Sequence, residues 1–334
     1  MKKLAKILSC ASAMSLCIGL SLSAAAFSDM PGGEIGGALQ RAVDVGLMQG
    51  VSDDLIAPND NITRAQMATI TVRAFSAENT SPDTFNDVPS DAWYADYVSK
   101  AVAMGAFKGD ELNNFNPNAN ITFQETYTVL SRLFGFEPYK SLKGMVSDCD
   151  ASVLDSFSDK NMIAPWAFNY AKYIAGNGGW TGINGQLKPT EPITRGEFAL
   201  IMDKLVDTYV DDQASADSLK NKKPNGAVLV RKGGITIDGL NTDKNLIVTY
   251  GVKQEPLSIR NTTVKGVTLI LGGTDLTPVT APNGKTLPDE SYVSISGEFY
   301  DVRVNTPYVY LNASSAKMDF YKGVEGSLVS LMIQ

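Results

Sequence analysis

Arg64 and Arg195 each follow directly on an Ile-Thr pair, in NITRAQMATI and PITRGEFALI. In both phrases the Thr has Gln or Glu three residues later, and a third copy, NITFQETYTVL, repeats the spacing. Thr63 with Gln66, Thr122 with Glu125 and Thr194 with Glu197 therefore read as capping boxes, in which hydroxyl and carboxyl or amide satisfy each other's backbone N–H. Arg64 and Arg195 then occupy the first helical position. A cation there meets the positive end of the helix dipole, an unfavourable placement of about 0.3–1 kcal/mol. Two explanations stay open. The guanidinium is solvated or paired with an aspartate of a neighbouring segment, or it joins free N–H groups at the helix start in holding an external anion. Burial against the chain's own aspartates, with no cleft alongside, would remove the second. The middle copy has Phe123 at this place and keeps only the cap.

Other chemistry is excluded by composition. The 334 residues contain no histidine, which removes Ser-His-Asp and Cys-His nucleophilic machinery, His-ligated zinc and a His general base. Lys2, Lys3 and Lys6, an apolar run from Ile7 to Leu22 and Ala24-Ala25-Ala26 have the layout of a secretory leader over 1–26. Without it, 26 basic residues face 36 acidic ones, a net charge of −10, Cys149 is the one remaining cysteine, and no membrane span is expected. Such a chain is not expected to bind nucleic acid or an anionic membrane surface non-specifically. No cofactor or metal is implied.

The elements that position these residues are repeated. Phe27-Ser28-Asp29, Phe85-Asn86-Asp87 and Phe157-Ser158-Asp159 precede the three Ile-Thr pairs by nearly equal distances. Between them lies a helix-period pattern, such as Trp93, Tyr97, Val98, Ala101 and Val102, or Trp166, Tyr170, Ala171 and Ile174, closed by glycines. Behind each capping box runs an apolar stripe: Met67, Ile70, Thr71 and Ala74; Val129, Leu130 and Leu133; Phe198, Ile201, Met202 and Leu205. Each unit is helix, glycine turn, capped helix. One such pair cannot bury its own stripe, so three should share a core. The spacing predicts units over 27–80, 81–140 and 141–208, the last with a preceding connector.

Three co-linear copies with F-x-D openings, a Trp at the start of the first helix, glycine turns and an Ile-Thr-Arg-Ala-Gln type box resemble S-layer homology (SLH) repeats over residues 27 to 208. The resemblance implies an all-α, pseudo-threefold bundle. It also implies grooves that hold an anionic, typically pyruvylated, secondary cell-wall polysaccharide linked to peptidoglycan. The glycan-binding residues it implies are Arg64 and Arg195, with Trp93 and Trp166 as sugar-stacking faces and Asp29, Asp87 and Asp159 as orienting groups. For the tryptophans, packing in the core stays open beside this, and for the aspartates a turn or capping role. Phe123 and the PGGEIGG stretch, which lacks a Trp, reduce the expected grooves to one or two.

After about Asp207 the composition changes. Residues 209–226 read as a polar linker, and 227–334 as an all-β domain of short β-branched runs: VLV, ITI, LIVT, LSI, VTLIL, YVSIS and YVYL. The phrase LSIRNTTVKGVTLILGG favours a short parallel β-solenoid of about five coils of about 20 residues, and resembles short right-handed β-helix tails on other SLH-bearing exported proteins. A β-sandwich is the alternative. Asp289-Glu290, and Glu298 with Asp301, read either as carboxylate pairs for sugar chemistry or as loop and edge charges, and DGLNTDKN as a calcium loop without EF-hand spacing. The expected protein is a secreted, non-enzymatic anchor on a bacterial cell surface with a displayed β-rich tail and a capacity for self-association in a surface layer. A wall-anchored carbohydrate-active enzyme and a carbohydrate-binding adhesin are the alternatives.

Overall fold

The computed structural model describes residues 27–137, 139–141, 144–146, 148–252, 255–272, 279–280, 286–287, 291–305, 309–323 and 328–331. The leader over 1–26 and the Asp289-Glu290 pair lie outside these residues.

Each Ile-Thr phrase starts a helix at the next residue: α2 (Arg64–Phe75), α4 (Phe123–Leu133) and α6 (Arg195–Leu205). In all three the Thr hydroxyl accepts from the third helical N–H, and the Gln or Glu at that position accepts from the Thr N–H, at 2.8–3.0 Å. The first helices of the units are α1 (Gly33–Asp44), α3 (Ala95–Ala103) and α5 (Phe168–Gly176). Packing runs between units, not within them: α2 lies on α3, α4 on α5, and α6 returns to α1. The apolar stripes of α2, α4 and α6 meet in one core, with Met67, Tyr127, Leu130, Phe198 and Ile201 fully enclosed.

The closure is a ring of backbone hydrogen bonds. Ile62 N–H donates to Ile193 O, Ile193 N–H to Ile121 O, and Ile121 N–H to Ile62 O, at 2.9–3.0 Å. Beyond this ring, each capped helix receives carbonyls from the next unit. Arg64 and Ala65 N–H donate to Ala119 O and Pro117 O, Phe123 and Gln124 to Glu191 O and Pro189 O, Arg195 and Gly196 to Asp60 O and Pro58 O. The first N–H groups of all three helices, which the sequence reading left free for an outside anion, are thus occupied. Helix starts need acceptors, and the Pro-rich loops supply them from within the molecule.

The β domain is a parallel solenoid of about four turns. Its strands are β3 (Val206–Val210), β4 (Ala227–Val230), β5 (Thr236–Asp238), β6 (Asn241–Thr242), β7 (Leu246–Val248), β8 (Leu257–Ile270), β11 (Ser291–Val304), β12 (Val309–Gly323) and β13 (Leu328–Leu331). Two antiparallel hairpins lie outside it, β1 (Tyr139–Ser141) with β2 (Gly144–Val146), and β9 (Val279–Thr280) with β10 (Thr286–Leu287). Pairing along the main sheet is parallel, so the antiparallel sandwich does not form. Register stacks Val210, Val230, Val248, Ile270 and Val304 on successive coils, all fully buried inside the solenoid.

The neighbouring ladder, Tyr209, Leu229, Ile247 and Leu269, points the other way and joins the core of the helical bundle. Strands buried on both faces explain why VLV and LIV are unbroken apolar runs. Stretch 209–226, expected as a linker, is instead structured. β3 continues straight from α6, and α7 (Gln213–Asp217) with Ala216 and Leu219 buries against the first coils. Tyr209, Val210, Ala216, Leu219, Pro224 and Gly226 are buried and the other residues of that stretch are not, which is why its composition reads as polar.

The bundle's helix C-termini end on the solenoid. Val45 O accepts from Arg231 at 3.1–3.2 Å, Phe75 O from Tyr250 N–H at 3.1 Å, Phe134 O from the Asn245 amide at 3.0 Å, and Gly135 O from Arg303 at 3.0 Å. Carbonyls without intrahelical partners, at the negative end of the dipole, are suitable acceptors for these two guanidinium groups.

Candidate functional site

Arg195 is 7% exposed. Its Nε donates to Ile56 O at 2.7 Å and its Nη2 to Gln49 O at 2.6 Å, both carbonyls of the first unit. Arg64 repeats the arrangement one unit on, with Nε on Phe115 O at 2.8 Å, Nη2 on Lys108 O at 3.3 Å and Nη1 3.5 Å from Glu125. Its plane lies over the Phe115 and Phe107 rings, 5.1 and 5.7 Å from their centroids. Burial lowers both guanidinium pKa values, opposed by nearby carboxylates, Glu125 at Arg64 and Asp60 at Arg195. Neither of the two sequence explanations for these residues describes them fully: they clamp a neighbour's loop through its carbonyls. At the third junction the polarity is reversed. Phe123 is buried, and the Lys188 ammonium from the facing loop lies 5.7 Å from its ring centroid while bonding Glu197 at 3.0 Å.

The three aspartates hold the same loops. Asp29 accepts from Ile56 and Ala57 N–H, Asp87 from Phe115 and Asn116, Asp159 from Leu187 and Lys188, all at 2.6–2.9 Å. The second residue of each pair is left-handed, with φ of 52°, 58° and 51°. Each carboxylate thus spends both oxygens on a strained turn, the turn-forming alternative of the sequence reading.

Trp93 and Trp166 are 62% and 54% exposed, so they are not core residues. Each lies just before its helix and one turn before a tyrosine, Tyr97 or Tyr170. Over that tyrosine sits an arginine of the packed neighbour helix. Arg73 of α2 is 5.7 Å from the Tyr97 centroid; Arg132 of α4 is 5.0 Å from that of Tyr170 and donates to its hydroxyl at 3.0 Å. Sequence reasoning missed both arginines. The signal was present: Arg73, Arg132 and Lys204 all stand nine residues after the first helical position. At the third junction Lys204 is paired with Glu34 at 3.0 Å, and no tryptophan is present.

These clusters are far from the arginine clamps. Arg64 reaches Lys108, beyond the end of α3, whereas Arg73 reaches Tyr97 near its start, so α2 and α3 run antiparallel. Nine residues of helix separate Arg64 from Arg73, about 14 Å. The structure does not bring Arg64 and Trp93 together. It does open a polar cleft of about 660 Å³ beside the clamped loop, lined by Asp83, Phe85, Phe107, Lys108, Asp110 and Asn113 among others. A guanidinium stacked on a phenol, with an exposed indole four residues before that phenol in the chain, offers charge for an acid group and an apolar face for a sugar ring.

Among the described residues of the β domain no such grouping with an exposed indole occurs. Asp301 is buried and paired with Arg303 at 2.8 Å, while Glu298 is exposed, so the two carboxylates do not converge. In DGLNTDKN, Asp238 accepts from Asn261 and Asp243 pairs with Lys223 and Lys265. Among the described residues no group of three or more acidic or cysteine ligands converges as a metal site, and no helix is long and apolar enough to cross a membrane.

The S-layer homology domain model matches three segments, residues 26–68, 84–126 and 156–199. A surface-layer 125 kDa protein of Lysinibacillus sphaericus is 32% identical over 187 residues, 55% of this chain and 15% of that protein. S-layer protein EA1 of Bacillus anthracis is 24% identical over 317 residues, 88% of this chain and 35% of that protein. An amylopullulanase of Thermoanaerobacterium thermosulfurigenes is 29% identical over 158 residues, 47% of this chain and 8% of that protein. The chain thus spans only a minor part of the length of these relatives.

Proposed function

Because this chain carries three S-layer homology domains, closed by the Ile62–Ile193–Ile121 ring, we propose that it anchors non-covalently to an acidic secondary cell-wall polysaccharide through the Trp93–Tyr97–Arg73 and Trp166–Tyr170–Arg132 clusters. The observation that carries this reading is the exposure of both indoles at equivalent places in two units. A large aromatic left in water on an otherwise packed scaffold is characteristic of a recognition surface. In this reading a sugar ring lies on the indole, and its acid group, a ketal-linked pyruvate for example, meets the guanidinium. Two working sites follow, since no indole precedes α1, the partner of the helix that bears Lys204. Arg64, Arg195 and the three aspartates act one step back, holding the loops in place.

The protein is placed by this reading outside the cell on the wall, with the solenoid held rigidly outward and available for self-association. Amylopullulanase activity belongs to that relative; here, among the described residues, Glu298 and Asp301 do not converge. The test is sedimentation with sacculi that retain their polysaccharide and with acid-extracted sacculi. The parent should sediment only with the former. W93A/W166A should lose at least about tenfold in affinity while its stability stays within about 0.5 kcal/mol, as for exposed positions. Undiminished sedimentation of that variant would overturn the assignment.

A further inference from the structure

We infer that the solenoid carries a separate binding cleft for acidic glycan, formed where α7 and its following turn meet the edge of the coils. The cleft holds about 520 Å³ and is lined by Lys222, Lys223, Lys265, Asn241, Asn261 and Thr263, with Asp243 as its one acidic member. Lys223 and Lys265 approach that single carboxylate from two sides, at 2.7 and 3.4 Å, and their side chains stay 74% and 54% exposed. Lys222 adds a third ammonium, paired with Asp207 outside the lining at 2.5 Å. The lining therefore has three cations to one anion on a chain whose net charge is −7.

Exposed ion pairs of this kind contribute little by themselves, so a ligand acid can replace Asp243 at small cost. The remaining groups fit sugar hydroxyls. Asn241 and Thr263 are register partners on adjacent strands, about 4.8 Å apart, and neither side chain has a hydrogen-bond partner among the described residues. Asn261, within β8, has a left-handed φ of 50° and donates its amide to Asp238 on the coil before, which leaves its carbonyl oxygen as an acceptor. The lining contains no aromatic side chain, so there is no stacking platform for nucleobases. Ammonium, amide and hydroxyl groups in an open trough suit a carboxylated or sulfated polysaccharide segment contacted along its edge. This cleft lies on the solenoid and does not depend on the tryptophan clusters of the bundle.

Affinity electrophoresis of the full chain through gels containing polygalacturonate, dextran sulfate or neutral dextran tests the inference. K223Q/K265Q is compared with K232Q/K317Q, which removes the same charge from exposed lysines elsewhere on the solenoid. The parent and K232Q/K317Q should be retarded by polygalacturonate, by dextran sulfate, or by both, which distinguishes the acid group, and not by dextran. K223Q/K265Q should lose retardation by about tenfold in apparent affinity while still sedimenting with sacculi. Equal retardation of the two variants, equal retardation by neutral dextran, or no retardation of the parent by either polyanion would overturn the inference. Loss of sacculus binding in W93A/W166A alone bears on the bundle and not on this cleft.

Discussion

Replacing Arg195 by Met separates a structural clamp from a ligand contact. The side chain is 7% exposed, and its two bonds, 2.7 Å to Ile56 O and 2.6 Å to Gln49 O, tie the third unit to the first. Methionine fills much of the stem's volume but donates nothing, so two carbonyls lose their partners. Each costs about 1–3 kcal/mol when left unsatisfied. Relief from burying a charge offsets part of this, leaving a loss of about 2–4 kcal/mol. For a domain of 150–250 residues, each kcal/mol shifts the melting midpoint by about 2–4 °C. This chain is larger, so the low end applies and the expected drop is about 4–8 °C. The assay is thermal unfolding followed by far-ultraviolet circular dichroism without polysaccharide present. Arg195→Lys should fall between the two, because one ammonium cannot match the fork of a guanidinium on two carbonyls. A variant that melts within about 1 °C of the parent yet no longer sediments with sacculi would refute this reasoning and return Arg195 to direct ligand contact.

Two further predictions concern the seam between bundle and solenoid. Burial alone would raise the Asp207 pKa, but its bonds to Lys222, Thr208 and the Asn225 N–H hold it below the ordinary carboxylate range. Its contribution to stability is therefore complete above the unfolded value of about 4 and is lost as pH falls through the lower folded value. Urea midpoints measured from pH 6 down to pH 3 should fall less steeply for D207N than for the parent; parallel curves would contradict the assignment. Arg231→Met removes the partner of Val45 O and of Asp211, together with a cation stacked 4.8 Å from the Tyr209 centroid. A loss of about 1–3 kcal/mol is expected, measured by urea denaturation, with faster amide exchange at the end of α1. Parent-like exchange there would show that the contact does not couple the two parts.

Much of the local design was readable without coordinates. Capping boxes, helix stripes and glycine turns are contacts between residues a few positions apart, and their residue types follow from backbone geometry. The parallel solenoid showed as short β-branched runs. What misled was composition used as a proxy for burial: 209–226 looked like a linker because only a few of its residues face inward. Arg73 and Arg132 were overlooked because a basic residue late in a helix has a sufficient local reason, the dipole.

The amino-acid order by itself determined three helical units, their capped second helices, the absence of histidine chemistry and a β-rich end. Tertiary structure decided what each polar group does. Arg195 takes its partners from residues 49 and 56, Arg231 its acceptor from residue 45, and the indoles stay in solvent. A guanidinium bonds equally well to a ligand carboxylate or to a backbone carbonyl. Which of them lies within 3 Å is fixed by ring closure and by the docking of coils onto helix ends, contacts that no local spacing encodes.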